Sequence, residues 1–330
     1  MTKLYPMFFK PVLKHYLWGG RNLQKLGRDL PKDKQVAESW EIAGHEDGMT
    51  VVKNGFYAGK TLNQLLEILG LDLVGDNNQW ALDRGKFPLL VKLLDADRRL
   101  SVQVHPGDDY AQKYEENELG KAEMWVILWA EPGAEIIYGF AEEMTTTTFQ
   151  QAVRSGSVDR YLHHLPVKAG DHVCVPPGTL HAILEGVLLA EIQQNSNTTY
   201  RVYDWNRVDQ DGQPRPLHVE KALDVINFHQ IKAKRFESKI IKKTEQILHE
   251  RLCQNAYFTT ERMTFSIVGE FVGECDRSSL EIWGVLTGRA VIAGELVEGV
   301  QFCLLPAGLG KYSIQADPGC VLLRAYTSSL

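Results

Sequence analysis

Three separated stretches of the chain carry side chains able to hold a cation. In Ser101-Val102-Gln103-Val104-His105-Pro106, strand alternation sends Ser101, Gln103 and His105 to one face and the two valines to the other. A polar stripe turned into a barrel interior is costly unless an ion or ligand satisfies it. Turned outward, it is an exposed face with one histidine. In Gly120-Lys121-Ala122-Glu123-Met124-Trp125, a lysine and a glutamate share a face where an apolar strand begins. On a surface that pair is common and weak. In Gly170-x5-Pro176-x-Gly178-x2-His181, Pro and Gly make a tight turn, and His181 enters the next strand pointing inward. The bland reading is an ordinary turn followed by a core histidine. Taken together, His105, Glu123 and His181, with Gln103 as a candidate fourth ligand, suit a divalent transition metal such as zinc. A position left open for water or substrate would make the site catalytic rather than structural.

A fourth segment runs from Glu191 to Trp205, through Gln193-Gln194-Asn195-Ser196-Asn197 and Tyr200-Arg201-Val202-Tyr203-Asp204. Read as one strand, it sets Arg201, Tyr203 and Trp205 on a single face. An arginine among aromatics and amides can hold a phosphate or stabilise an oxyanion. The same residues also describe a surface arginine packed on rings, and the segment alone does not decide.

The long gaps between ligand candidates argue against a zinc finger and require strands gathered by a fold. Short apolar runs at 126–129, 135–138, 172–175 and 187–192, bounded by Gly and Pro, read as strands of a sandwich or jelly-roll barrel. Helical spacing is expected over 61–73 after a Thr61 cap, over 146–164 with a break at Gly156, and over 218–227. Gly170-Asp171-His172-Val173-Cys174-Val175-Pro176-Pro177-Gly178 resembles Gly299-Val300-Gln301-Phe302-Cys303-Leu304-Leu305-Pro306-Ala307-Gly308, which suggests two related barrels. The second has Lys311 where the first has His181 and lacks a Gln-x-His segment, so it reads as structural. Lys232, Lys234, Arg235, Lys239, Lys242 and Lys243 crowd the expected boundary, as a linker or a lysine-protected strand edge. We expect a metal-binding unit with helical insertions at 1–235 and a degenerate barrel without a metal site at 236–330.

Composition narrows the partners. The 330 residues include 36 Lys+Arg and 42 Asp+Glu, for a net charge of −6, which leaves no electrostatic footprint for nucleic acid or an acidic membrane. No apolar run approaches the ~20 residues of a spanning helix, and the N-terminus does not read as a signal peptide, so a cytoplasmic location is expected. The five cysteines (174, 253, 275, 303 and 320) are odd in number and lack C-x-x-C spacing. They predict buried small hydrophobes rather than a disulfide framework or a cysteine zinc site.

The turn ending in His181 resembles the second motif of the cupin superfamily. More closely, Leu17-Trp18-Gly19-Gly20, Gln103-Val104-His105-Pro106, Gly120-Lys121-Ala122-Glu123, Gly178-Thr179-Leu180-His181-Ala182, Gln193-Gln194-Asn195-Ser196 and Tyr200-Arg201-Val202-Tyr203-Asp204 stand in the order seen in short bacterial type I mannose-6-phosphate isomerases. The likeness spans nearly the whole chain, strongly over 1–230 and weakly over 240–330. It implies a mainly β bicupin of jelly-roll barrels with an added helical part. It implies one zinc per chain on His105, Glu123 and His181, with Gln103 as the additional ligand, and catalytic roles for Arg201 and Lys121. The implied reaction interconverts mannose 6-phosphate and fructose 6-phosphate through a cis-enediol. The partner is then a small sugar phosphate, with neither nucleic acid nor membrane, in a monomer or homodimer. One departure stands out: relatives often carry Asp where this chain has Asn197, and Asn cannot exchange a proton near neutral pH. His105, Lys121 and Asp204 are candidates for the missing acid/base. Rival readings are another metal-dependent cupin enzyme, such as an oxygenase or a different sugar-phosphate isomerase or epimerase, and a non-catalytic bicupin that binds a sugar phosphate.

Overall fold

The computed structural model of the chain describes residues 4–116, 118–208, 212–232 and 236–328. A six-stranded sheet in the first half has the spatial order His172–Val175, Glu123–Ala130, Val187–Gln194, Leu89–Ala96, Glu38–Ile42, Val12–Lys14. A five-stranded sheet packs against it, in the order Leu162–Pro166, Glu135–Phe140, His181–Ile183, Val102–Val104, Tyr200–Tyr203. Neighbouring strands within both sheets are antiparallel. Two antiparallel sheets of short strands closed over one core make the expected jelly roll.

The second half repeats this design. Its wide sheet runs Gln301–Leu305, Glu281–Thr287, Val321–Thr327, Phe258–Phe265, Ile247–Gln254, Lys239–Lys243, and a four-stranded sheet closes over it. The two wide sheets match strand for strand, so the internal repeat is more extensive than the Pro-x-Gly turns suggest. Glu123 and Glu281 open equivalent strands and pair with Val175 and Leu305, each just before the proline of its repeat. Trp125 pairs with Glu191 and Glu191 with Lys92; in the second sheet Trp283 pairs with Arg324 and Arg324 with Glu261.

Each wide sheet is covered on both faces. One face looks into its own barrel. The other contributes to a shared apolar cluster in which Val91, Leu93, Met124, Val126, Ala190 and Ile192 meet Leu252, Ile282, Leu304, Leu323 and Ala325. This double burial explains why the central strands read as unbroken apolar runs, as strands covered on both faces do. Met7 also joins the second sheet, exchanging two backbone hydrogen bonds with Leu304. The lysine-rich Lys239–Lys243 strand is an exposed sheet edge, which fits edge protection. Lys234, Arg235 and the expected boundary at 235/236 fall at or within 233–235, outside the described residues.

Several local expectations need correction. The 61–73 helix stops at Leu69; Gly70 separates it from a short Leu71–Val74 turn, although the Thr61–Gln64 capping box forms as the sequence suggests. The 146–164 helix is Thr146–Ser155, ended by left-handed Gly156; Leu162 belongs to a strand. The third helix is Val219–Val225, while the Gln79–Arg84 and Asp108–Tyr114 helices were not foreseen. Cys174 and Cys253 form a disulfide between the two wide sheets, so these two depart from the reading of the cysteines as buried small hydrophobes; an odd count argues against a framework but leaves one bridge free to form. Cys275, Cys303 and Cys320 are buried thiols, as expected. No helix among the described residues is long and apolar enough to cross a membrane.

Candidate active site

Two ladder rows build the site. Across the five-stranded sheet, Tyr138, His181, Gln103 and Arg201 are successive register partners. Across the facing sheet, Glu123 pairs with Gln193, and Trp125, Glu191, Lys92 and Trp40 follow one another two residues further along. Loop contacts lock the rows together. The Gly178 amide donates to the His105 carbonyl, and a Cβ at Gly178 would sit 2.7 Å from the Val225 carbonyl oxygen with φ at +83°. Gly120 lies so close to Asp108 that a Cβ would fall 2.5 Å from its backbone nitrogen. Both turns therefore require glycine.

One ligand atom from each of His105, Glu123 and His181 lies within 4.8 Å of the others, and all three residues are buried. His105 Nε2 is 3.1 Å from Glu123 Oε1, and His181 Nε2 is 3.8 Å from Glu123 Oε2. Each imidazole spends Nδ1 on a backbone carbonyl: His105 on Thr198 and His181 on Thr179, both at 2.9 Å. A carbonyl only accepts, so Nδ1 carries the hydrogen and Nε2 presents its lone pair to the carboxylate. Backbone carbonyls commonly orient metal-bound histidines in this way. Burial, reinforced by Lys121, holds the His105 imidazole down to about 3. Burial opposes ionisation of Glu123, but Lys121 and His105 outweigh it and hold that carboxyl well below its usual range. Glu123 Oε2 is buried without a hydrogen-bond partner. Two imidazole lone pairs and an ionised carboxylate thus converge on one point, and an orphaned oxygen faces it. The donor set fits a divalent cation.

The other predicted residues gather around this cluster. Lys121 Nζ is 3.0 Å from Glu123 Oε1 and 3.4 Å from His105 Nε2. Gln103 reaches His181 Nε2 through its amide nitrogen at 3.4 Å; a half-turn of the amide would offer Oε1 there instead. Arg201 is half-buried, with Nε on Ser101 and one terminal nitrogen on the Pro216 carbonyl. It lines a cavity of about 270 Å³ together with Gln103, Lys121, Glu123, Trp18 and Asn197. Tyr203 and Trp205 do not share its face. A register shift between Arg201 and Tyr203 breaks the alternation, and Trp205 turns left-handed at φ +58°, so both line a different cleft. Asp204 is held by Arg207 and Arg215, which outweigh its burial and keep its carboxyl low.

Sequence reasoning missed a charge ladder in the same cavity. Lys92 lies 3.7 Å from Glu38 and 3.5 Å from Glu191, nearly shut off from solvent. Burial, then the charge of Glu123, pushes the Glu191 carboxyl up to about 7. Trp125 donates its indole N–H to Glu191 Oε2 at 2.9 Å. The clue was a single charge inside each apolar run, Leu89-Leu90-Val91-Lys92-Leu93 and Leu188-Leu189-Ala190-Glu191-Ile192. Such residues are almost never buried unless paired.

Fold and site together define a two-barrel cupin with, among the described residues, one histidine–glutamate–histidine cluster, in its first barrel. The family model for the type I phosphomannose isomerase catalytic domain matches residues 7–121. The chain is 39% identical to the mannose-6-phosphate isomerase ManA of Bacillus subtilis, over 96% of this chain and 98% of that protein. It is 44% identical to the mannose-6-phosphate isomerase of Streptococcus mutans over 67% of each chain. The crystal structure of the Bacillus subtilis mannose 6-phosphate isomerase superposes with a TM-score of 0.85, at 33% identity, covering 97% of this chain and 99% of that one. The chain belongs to the type I phosphomannose isomerase family.

Proposed function

We propose that this chain interconverts mannose 6-phosphate and fructose 6-phosphate through a cis-enediol, with one zinc ion held by His105, Glu123 and His181 and with Gln103 as fourth ligand. The observation that carries the reading is that His105 and His181 present Nε2 to opposite oxygens of the buried Glu123 carboxylate, whose Oε2 has no hydrogen-bond partner, beside a cavity lined by Lys121 and Arg201. When bound, the metal supplies Lewis acidity at the carbonyl and the adjacent hydroxyl of the open sugar.

The protein's own groups do the rest. Arg201 and Lys121 present positive charge where the enediolate develops. Either can also meet the phosphate. Glu191 carries the proton between C1 and C2 on Oε1, its other oxygen being occupied by Trp125. A carboxyl titrating near 7 can take up and return a proton at neutral pH. Lys92 keeps its ionised form affordable in a buried site. Among the three acid/base candidates raised above, Asp204 is tied to two arginines, while His105 and Lys121 belong to the Glu123 cluster. A coupled assay with mannose 6-phosphate, before and after chelation and alongside metal analysis, tests the proposal. Turnover that tracks one zinc per chain supports it; full turnover in metal-free protein overturns it.

A further inference from the structure

The mouth of the cavity holds a pair that the reaction scheme leaves unused. Asn197 lines the cavity and donates from Nδ2 to Asp47 Oδ2 at 2.6 Å, across 150 residues of sequence. An ionised carboxylate can only accept, so the orientation of the amide is fixed: the nitrogen faces Asp47. The planar group then points Oδ1 about 120° away. Among the described residues, none donates to that oxygen within hydrogen-bond distance.

Asp47 is itself well anchored. It lies at the turn of the hairpin between Gly44–His45 and Gly48–Met49. Its backbone N–H donates to His45 Nδ1 at 3.1 Å, its carbonyl accepts from Lys14 Nζ, and Gly48 packs so closely on Trp40 that a Cβ would lie 2.7 Å from the ring. His45 Nε2 in turn meets Glu118 at 3.1 Å, and Glu118 meets Lys86 at 2.6 Å. Burial would raise the Glu118 carboxyl, but His45 and Lys86 outweigh it and hold the group at about 2, so the anchor stays ionised across the neutral range. The exposed carboxylate of Asp47 is thus delivered to Asn197 by a braced turn rather than by a loose loop.

We infer that Asp47 is a positioning residue for the sugar site: by accepting the Asn197 N–H it fixes that amide with Oδ1 toward the cavity, where the oxygen accepts a hydrogen bond from a hydroxyl of the substrate. The inference rests on the proposed sugar-phosphate reading and adds the pair that recognises the sugar. It also makes Asn at 197 dependent on Asp at 47. Aspartate at both positions would set two carboxylates against each other at hydrogen-bond distance.

The decisive experiment is the reciprocal swap. Asn197→Leu is expected to raise KM for mannose 6-phosphate about 10-fold with kcat changed less than about 3-fold, the size of one lost hydrogen bond. Asn197→Asp alone is expected to raise KM about 30-fold through repulsion with Asp47. Asp47→Asn combined with Asn197→Asp restores the donor–acceptor pair, leaves one carboxylate oxygen for the sugar, and should return KM to within about 3-fold of the unmutated chain. Thermal melts show that each variant is folded, and a general loss of stability would not be repaired by exchanging the two residues. A swap no better than Asn197→Asp, or an Asn197→Leu variant with unchanged KM, overturns the inference. If the unmutated chain does not turn over mannose 6-phosphate, the functional reading falls. The pair is then judged from calorimetric binding of mannose 6-phosphate to the same variants, with the same ratios expected.

Discussion

Glu123 and Glu281 open equivalent strands, each two residues before an inward tryptophan, yet they meet different company. At the position opposite Trp283 stands Arg324, whose guanidinium grips both oxygens of Glu281 at 2.9 and 2.6 Å. Arg324 also approaches Glu261, which His249 and Tyr326 hold from its other sides. Opposite Trp125 stands a second carboxylate, Glu191. Charge is inverted along the whole row: Glu191–Lys92 in the first barrel, Arg324–Glu261 in the second. The second barrel carries its cation covalently, on a side chain. The first sets two imidazoles against the Glu123 carboxylate and leaves its Oε2 without a hydrogen-bond partner, a donor set that fits a divalent cation. Besides lacking counterparts of His105 and His181, the second barrel differs at this one register position, Arg324 against Glu191, in whether its glutamate already has a buried cation.

Glu191→Arg tests this directly and carries the largest expected effect. The new guanidinium should pair with Glu123 as Arg324 pairs with Glu281. The variant should fold, bind less than a tenth of the unmutated chain's zinc, and lose turnover by roughly a thousand-fold or more. Bound zinc at full occupancy would break the comparison. Glu191→Gln separates the charge effect from the proton-transfer role: metal content stays, and kcat falls about 10²- to 10⁴-fold. The pH profile adds a signed check. A base with a raised pKa is lost by protonation, so kcat falls as pH drops through an acid limb. That limb lies at or below about pH 7, because a bound cation offsets the Glu123 charge that helps raise Glu191. In Glu191→Gln this limb should vanish from the residual activity.

Arg324→Met probes the other barrel. It leaves Glu281 and Glu261 buried without their shared cation, and breaking a buried ion pair in this way costs about 3–5 kcal/mol. Chemical denaturation should show that loss, while kcat per folded molecule and metal content remain unchanged. A slightly smaller effect is expected from Arg201→Ala, about 100- to 1000-fold in kcat with zinc retained, as for removal of a preorganised oxyanion donor. Full turnover in that variant would remove Arg201 from the chemistry.

Much of this arrangement was legible because chemistry leaves odd residues in regular places. The alternation of Ser101, Gln103 and His105, the glycine-bounded turn before His181, and the Lys121–Glu123 pair each point to one interior; in the structure Ser101, Gln103, Lys121 and Glu123 line one cavity, and His105 and His181 gather on Glu123 at its edge. What stayed hidden depends on pairing between distant strands. Lys92, Glu191 and Arg324 are single charges inside otherwise apolar runs, which shows that each needs a buried partner but not which one. Only register reveals that Glu191 and Arg324 are counterparts. The Asp47–Asn197 contact spans 150 residues and has no local signature. The Arg201–Trp205 face failed for the opposite reason: a bulge interrupts an alternation that looks regular in sequence.

The smallest expected effect tests whether sequence correspondence or register governs the second barrel. Aligning Gly308-x2-Lys311 with Gly178-x2-His181 places Lys311 at the metal-ligand position, so Lys311→His looks like a restored ligand. In the folded strand Lys311 is exposed, whereas its neighbour Tyr312 turns inward and donates to Glu281. A histidine at 311 would therefore face water, and Glu281 would still be occupied by Arg324. The variant should acquire no additional zinc beyond that of the unmutated chain and change stability by less than about 0.5 kcal/mol, as surface substitutions usually do. Tyr312→His brings an imidazole to the inner face but leaves the guanidinium in place, so it too should recruit no metal. A second equivalent of zinc in either variant would show that ligand identity outweighs the charge opposite the glutamate, and the contrast drawn between positions 191 and 324 would fail at its root.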